Sequence, residues 1–528
     1  MVNDSGAGAL AKGAPRSFIE ALDRNRGWLV TGLIGLAFAL RVIGLDFQSL
    51  WRDEVDAIRF ASQPLNQLFG LLVNPGQNGP LYYFALRPWL ALAGQSGFAL
   101  RFFSAALGTL AVPLVYRLGQ RLFPSLPALP LLAAFLAAIS PYLVWYGQEG
   151  KMYALVVVLV LLSMECYLAA LERGGWRRWL LYVAFASVAF YVHLIAALMI
   201  PVQMLMLFFM GSEIRKARWK PWLASMAALT LPYLPLVRWQ LPMLRAGGST
   251  GYAFVPLREM LTSMLTSYSL GVVQRATIGS VALFVGLLLA AGLLWKGYRS
   301  RLASLAALAC WLFLPVLGFY LITLVRPMYT ARYLIFVAPA YLLLLAAGVV
   351  AVARLSKWLA GLWLVALLVV NGMGVWLQAR TPYKADFRDA TAYLVSRLEP
   401  GDLLLFQIPY GRYSFDYYYQ RYLATQAEPP NAGMPSSDGG FQIFVPTVSS
   451  SASYRWADGP YTNAGMDAGQ VERTMAAMTA GSRVVWLIAT EVPLWDERGL
   501  AQAWLDEHGT ITDVAEFVRV AVTRYELP

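Results

Sequence analysis

The sequence predicts an all-α membrane core of about eleven transmembrane helices, followed by a soluble α/β domain at the C-terminus. Three observations predict it. Hydrophobic residues make up 58% of the 528-residue chain and charged residues only 14%, against about 25% charged in an ordinary soluble domain. Apolar stretches of roughly 17–25 residues, long enough as helices to cross the hydrocarbon core of a bilayer, recur as far as residue 378. Beyond residue 379 the pattern changes to charges, turn residues and short alternating apolar runs.

The elements follow in order. Residues 1–26 are polar and basic and lack the apolar run and small-residue cleavage site of a signal peptide. They read as a cytoplasmic leader, with the first span retained as an anchor. Crossings are expected near 27–45, 98–118, 127–146, 152–171, 178–192, 194–210, 220–237, 278–296, 302–324, 331–352 and 357–377. The segment 79–93, GPLYYFALRPWLALA, is short and holds Arg87 and Pro88. If it does not cross, the basic clusters at Arg117 and Arg121, Arg173 to Arg178, Arg215 to Lys220, Lys296 to Arg301, and Arg354 and Lys357 all share the side of the N-terminus. That is the arrangement the positive-inside rule requires. The first loop, 46–97, is therefore expected on the outer face with interfacial helices, and 379–528 outside the cytoplasm. The same clusters account for the net charge of +12 without nucleic acid. Cys166 and Cys310 both lie within apolar spans, which argues against a disulfide framework.

In the C-terminal region DFRDATAYLVSRL and WDERGLAQAWLDEHG read as helices, DLLLFQIP and SRVVWLIAT as buried strands, and 424–440 as a loop. No GxGxxG, Walker loop, HExxH or internal repeat is present. The aromatic run Tyr417–Tyr419 fits packing better than sugar contact.

Polar residues that topology alone does not explain mark the candidate site. The first loop opens LDFQSLWRDEVDAIRFA, with Asp53 and Glu54 directly after Trp51 and Arg52. Val55, Ile58, Ala61 and Leu65 have helical spacing, so the acidic pair opens an amphipathic helix. Acids also favour the first turn of a helix through its dipole, and that capping role stands beside a functional one. In SPYLVWYGQEGKMYAL, Glu149 and Lys151 sit between two spans with almost no loop; they read either as functional charges or as a local pair with Lys151 snorkelling. In LVRPMYTARYLIFVAP, Arg326 and Arg332 flank a tight outer turn, against the orientation rule. An anionic partner such as a lipid phosphate accounts for them, as does snorkelling. His193 stands at a break between two spans, where a lone histidine is more often structural than catalytic.

In their order, WRDEVDAIRFA, NGPLYYFAL, GFALRFFSAALGTLAVPLVYRLGQRLF, SPYLVWYGQEGKMYAL, YVHLIAAL and RPMYTARYLIFVAP resemble the GT-C membrane glycosyltransferases. The similarity is to the protein O-mannosyltransferase and aminoarabinose-transferase group and extends over roughly 27–352. The resemblance implies a GT-C catalytic domain at 27–378 that performs an inverting sugar transfer from a polyprenyl- or dolichyl-phosphate carrier to a lipid, protein or glycan acceptor, on the extracytoplasmic face of the cell membrane. It implies Asp53 as general base or acceptor-orienting acid, supported by Glu54, and Glu149 as a second loop acid. Arg326, Arg332 and Lys151 are implied at the lipid phosphate, with Trp51, Tyr82, Tyr153 and His193 as candidate substrate contacts. Two departures stand out: Asn78 and Gly79 precede Pro80 where many relatives place a basic residue or His, and Lys151 stands where many have Arg. No cofactor is implied with certainty; a divalent metal at the first-loop acids is compatible with their spacing but not required by it. A transporter or flippase for a lipid-linked substrate and a non-catalytic envelope assembly protein are the alternatives. The absence of matched repeat halves and mid-span charges argues against the first, and the second predicts that Asp53 and Glu54 matter only for stability.

Overall fold

Long apolar runs form helices because a helix satisfies every backbone hydrogen bond within its own segment, the one way a single chain segment can cross hydrocarbon. The computed structural model describes residues 16–71, 79–231, 234, 252–295, 299–408, 411–425, 442–444, 467–492, 496 and 498–528. Asn78 and the loop 426–440 lie outside the described residues. The helices are α1 (Arg16–Val42), α2 (Arg52–Ser62), α3 (Leu65–Leu71), α4 (Pro80–Ala93), α5 (Gly97–Leu122), α6 (Ala128–Ile139), α7 (Pro141–Gly147), α8 (Tyr153–Arg173), α9 (Trp176–Val192), α10 (Met199–Phe209) and α11 (Ser212–Thr230). After these come α12 (Leu257–Leu270), α13 (Ile278–Ala291), α14 (Arg299–Val325), α15 (Ala338–Leu355) and α16 (Lys357–Arg380).

Among the described residues five helical segments are long and apolar enough to cross a membrane: Gly97–Leu122, Tyr153–Arg173, Arg301–Val325, Ala331–Leu355 and Lys357–Arg380. The pair α6 and α7 is a sixth candidate, bent by 55°. The segment expected at 127–146 is thus a broken span. Ser140 ends α6 and caps α7, accepting from the Leu143 amide, and Pro141 takes the first position of α7, where a missing N–H costs nothing. The expected crossings at 194–210 and 278–296 are shorter apolar helices, Leu194–Phe209 and Ile278–Leu294. Burial sorts the long helices: 89% of the most apolar stretch of Ala331–Leu355 is buried, against 22% of that of Lys357–Arg380. The latter turns Trp358, Leu362, Val365, Leu368 and Val369 outward, the apolar face that a bilayer covers.

The first loop is helical but breaks earlier than its spacing suggests. In α2, Val55, Ala57, Ile58 and Ala61 are buried. Pro64 disfavours helical backbone at Gln63, which is extended, and Leu65 drops out of the stripe, 52% exposed. The helix α4 has 14 residues, about 21 Å at the ordinary rise, short of the roughly 30 Å of a hydrocarbon core. Its Arg87 donates to the Ala61 and Gln63 carbonyls at the end of α2.

The C-terminal region is α/β. Strands β1 (Leu403–Phe406), β2 (Gln442–Phe444), β3 (Val484–Ala489), β4 (Thr510–Phe517) and β5 (Val520–Glu526) form one sheet in the order β2-β1-β3-β5-β4. The first three are parallel, and the β4–β5 hairpin adds antiparallel to β3. Alternate residues of β1 serve opposite faces. Leu404 and Phe406 pack with α17 (Phe387–Val395) and α18 (Gly411–Thr425) through Phe387, Leu394 and Phe415. Leu403 and Leu405 pack with α19 (Ala468–Thr479) and α20 (Leu500–His508) through Met475 and Leu505. In the aromatic run, Tyr419 stacks on Phe415 with ring centroids 5.4 Å apart, and Tyr417 donates to the Gln95 carbonyl at 3.0 Å.

Helices α13 and α15 meet through Gly348, where an added Cβ would lie 2.1 Å from the Leu287 carbonyl oxygen. Close backbone approach at small residues is how helices associate in lipid, where burial of apolar surface gives no driving force. Gly348→Ala is expected to destabilise the protein by about 1–3 kcal/mol, read as a lowered melting temperature in detergent. Gly361→Ala, where nothing lies within 4 Å of the added carbon, is expected to leave it unchanged or slightly raised; equal melting of both variants would contradict this packing.

Candidate active site

Asp53 and Glu54 stand in the first turn of α2, at the positive end of its dipole. Consecutive residues on a helix point about 100° apart, so the two carboxylates meet different surroundings. Glu54 faces inward and is fully buried. The guanidinium of Arg101, on α5, grips it through Nε at 2.8 Å and Nη2 at 2.7 Å. Lys384 Nζ, beyond the end of α16, lies 2.9 Å from Oε2, and the Gly150 amide donates to Oε1 at 2.9 Å. Burial by itself disfavours the charged carboxylate, but Arg101 and Lys384 outweigh it and pull Glu54 down to about 2. The remaining Arg101 hydrogen bonds go to the Leu45, Gln48 and Ser49 carbonyls, which fold the start of the first loop around it.

Asp53 is only partly buried, its side chain 22% exposed, with Arg332 Nη2 3.4 Å from Oδ2. Burial raises its affinity for a proton; the charges of Lys151, Arg332 and Arg52 overcome this and hold it below the ordinary aspartate range. Arg332 is set among rings, 4.9 Å above Trp51 and 5.9 Å from both Tyr153 and Tyr333. Its Nε is buried without a hydrogen-bond partner. Arg326 begins the same turn, buried at the end of α14, its amide bonded to the Ile322 carbonyl.

Glu149 and Lys151 occupy the turn between α7 and α8, both buried. They form no ion pair with each other, so the local-pair reading does not hold. Lys151 is coupled instead to Tyr83, Asp53 and Asp56, which keep it charged against the cost of burial. The Oε1 of Glu149 is buried with no hydrogen-bond partner. Burial raises its proton affinity, offset only in part by Lys384 and Arg332.

The remaining expected contacts divide. Trp51 and Tyr153 form the rings around Arg332. Tyr82 is wholly buried in α4, its ring 5.7 Å from Tyr83 and 6.2 Å from Phe103, packed in the core rather than exposed beside Asp53. His193 Nε2 lies 3.0 Å from the Tyr333 carbonyl, which requires the proton on that nitrogen. Its ring packs between Tyr153 at 6.2 Å and Tyr333 at 5.7 Å; it joins the α9 break to the turn that carries Arg332.

Two members of the cluster escaped the sequence reading. Arg101 interrupts the apolar run GFALRFF of α5, and an ionisable residue inside a crossing helix is itself a signal. Lys384 lies in a region read as a separate domain, and no local pattern pairs it with Glu54. Among the described residues no group of three or more His, Cys, Asp or Glu side chains is placed to hold a metal ion.

Glu54→Gln keeps the shape but leaves Arg101 and Lys384 as buried charges without an anion. It is expected to cost about 3–5 kcal/mol. A depressed carboxylate stabilises the fold fully above its ordinary value of 4.5, and the contribution is lost as pH falls towards about 2. The gap in melting temperature between wild type and variant therefore narrows across that window; a gap independent of pH would contradict the ion-pair account.

Comparisons with known proteins agree with this architecture. Residues 77–239 match the family described as dolichyl-phosphate-mannose-protein mannosyltransferase. No curated protein sequence matches the chain. Among solved structures, ArnT from Cupriavidus metallidurans bound to undecaprenyl phosphate superposes with a TM-score of 0.55 at 12% identity, over 94% of this chain and 98% of that one. Its apo form gives 0.54 at 14% identity, over 95% and 98%. The oligosaccharyltransferase AglB from Archaeoglobus fulgidus, in complex with an inhibitory peptide and a dolichol-phosphate, gives 0.53 at 12% identity, over 95% of this chain and 74% of that one. At these identities the likeness is one of fold: the chain shares the fold of ArnT and AglB.

Proposed function

We propose that the chain is an inverting glycosyltransferase that moves a monosaccharide from an isoprenoid phosphate to an acceptor hydroxyl at the extracytoplasmic face of the membrane. The observation that carries this reading is the juxtaposition of an ionised carboxylate, Asp53, with the guanidinium of Arg332 at 3.4 Å and with Lys151. A base and a cationic seat for a leaving anion are the two things such a transfer needs.

The acceptor oxygen attacks the anomeric carbon, and its proton passes to Asp53. The bond from that carbon to the phosphate oxygen breaks on the opposite face, and the phosphate leaves with the electron pair. Arg332, Lys151 and Arg326 offset the charge that develops on it. Arg332 neutralises Asp53; a donor phosphate would take over Arg332 and free the carboxylate to accept the proton. Trp51, Tyr82, Tyr153 and His193 shape the cleft. Glu149 supplies a second acid on the far side of Glu54, which holds the two loops together. The ligands bound in the similar structures, undecaprenyl phosphate in ArnT and dolichol-phosphate in AglB, favour a lipid-phosphate donor here. The crossing pattern with 79–93 on the outer face, and 379–528 beyond it as an extracytoplasmic domain, belongs to the same reading.

Purified protein given a panel of labelled polyprenyl-phosphate sugars tests it. Wild type is expected to release polyprenyl phosphate. A folded Asp53→Asn variant is expected to lose about 100-fold or more in kcat. Arg332→Lys, which keeps a charge without the planar fork, is expected to raise KM for the donor. Equal release by wild type and Asp53→Asn would move the base to Glu149, and wild type inert toward every donor would favour the transport or assembly alternative.

A further inference from the structure

Lys384 joins the C-terminal region to the acidic cluster. Lys384 lies on the linker between α16 and α17, is buried, and places Nζ 2.9 Å from Glu54 Oε2 and 5.6 Å from the Trp145 ring. The linker is clamped from both sides. Toward the membrane helices, Gln48 donates to the Thr381 carbonyl at 2.8 Å and accepts from the Tyr383 and Lys384 amides at 2.9 and 3.2 Å. Toward the sheet, the Asp386 amide bonds to the Val518 carbonyl at 2.9 Å. Arg519, in the same β4–β5 turn, lies 4.1 Å above the Tyr383 ring. Arg519 has φ 55°, a left-handed backbone that a residue with a Cβ rarely adopts, so the tight turn that sets this cation over Tyr383 is sterically demanding. Tyr383 in turn meets Trp145 edge-on at 5.6 Å.

A continuous route therefore runs from the hairpin turn, through Tyr383 and Lys384, to Glu54. From Glu54 Oε1 it continues to the Gly150 amide, and Gly150 lies between Glu149 and Lys151. The oxygen that Lys384 holds and the oxygen that Gly150 donates to belong to one carboxylate. If Lys384 is withdrawn, Glu54 keeps the two-point grip of Arg101 but loses its second cation, and the carboxylate that accepts from Gly150 is held from one side only, which loosens the Glu149–Lys151 turn.

We infer that Lys384 is a positioning residue: through it the C-terminal α/β domain completes the cluster and fixes the turn that carries Glu149 and Lys151. The kinetic consequence rests on the glycosyl-transfer reading; the positional one does not. Lys384 is thus assigned no contact with substrate. It acts through Glu54 and Gly150, and its loss should lower turnover more than donor affinity.

The experiment uses the full chain in detergent, with hydrogen exchange at residues 147–151 read beside transfer kinetics. In Lys384→Met, exchange in that segment is expected to accelerate about 10-fold or more, because a hydrogen bond to a charged acceptor is loosened. kcat is expected to fall by a similar factor, with KM for the donor changed less than about threefold. Gln48→Leu releases the linker without removing a charge and should reproduce the exchange effect, so it carries the test if Lys384→Met does not fold. Unchanged exchange at 147–151 in both variants, with wild type active, overturns the inference and leaves the transfer reading standing. Accelerated exchange with a wild type inert to every donor upholds the positional role and overturns the transfer reading.

Discussion

The burial of one carboxylate organises this molecule. Glu54 is removed from water and must find its hydrogen bonds within the protein. It accepts from the Arg101 guanidinium, the Lys384 ammonium and the Gly150 amide. These donors come from a crossing helix, the domain linker and the turn between α7 and α8. Moving the crossing helix or the linker would separate a buried cation from its anion, and breaking such a pair is far more damaging than its net contribution suggests; moving the turn would open a hydrogen bond to the same carboxylate. The candidate active site is therefore assembled around an ion that is not itself free to react.

The proposed base lies one residue earlier. A step of one position on α2 turns Asp53 out of the buried network and toward Arg332 and Lys151. Both carboxylates are kept ionised, for different reasons. Glu54 is satisfied on both oxygens, whereas Asp53 is opposed by cations that an anionic ligand would recruit. Glu149 is the contrast: buried, with one oxygen unpaired and its proton affinity raised. Three acids close together thus carry three distinct environments, the condition under which base, structural anion and proton reservoir can be separate groups.

The helices around this cluster are shaped to permit it. The Ser140–Pro141 break bends the α6–α7 pair by 55°, and a short turn follows it with the Gly150 amide pointing at Glu54. Arg41, fully buried in α1, donates to the Ala137 and Ala138 carbonyls at the end of α6, the acceptors left open where that helix stops. Gly147 gives the Arg41 side chain room, since a Cβ there would lie 3.0 Å from its Nε. The break in the helix, the buried arginine and the absent side chain are parts of one solution to an interrupted helix.

Much of this was legible in the sequence. Composition and run length placed a helical membrane core before a separate α/β region, because hydrophobic periodicity is a local property of the chain. The strands at 403–406 and 484–489, the helix opened by Asp53 and Glu54, and the outlying charges Glu149, Lys151, Arg326, Arg332 and His193 were visible for the same reason: each breaks a local pattern. The division of labour between Asp53 and Glu54 was not visible, since adjacent acids are equivalent until a neighbour chooses between them. Nor were the partnership of Glu54 with Arg101 and Lys384, 47 positions and more than 300 positions away along the chain, or the failure of Glu149 and Lys151 to pair despite their proximity. Local patterns encode where a charge sits relative to water and membrane; which opposite charge it meets depends on how distant segments pack, and only the tertiary structure decided that.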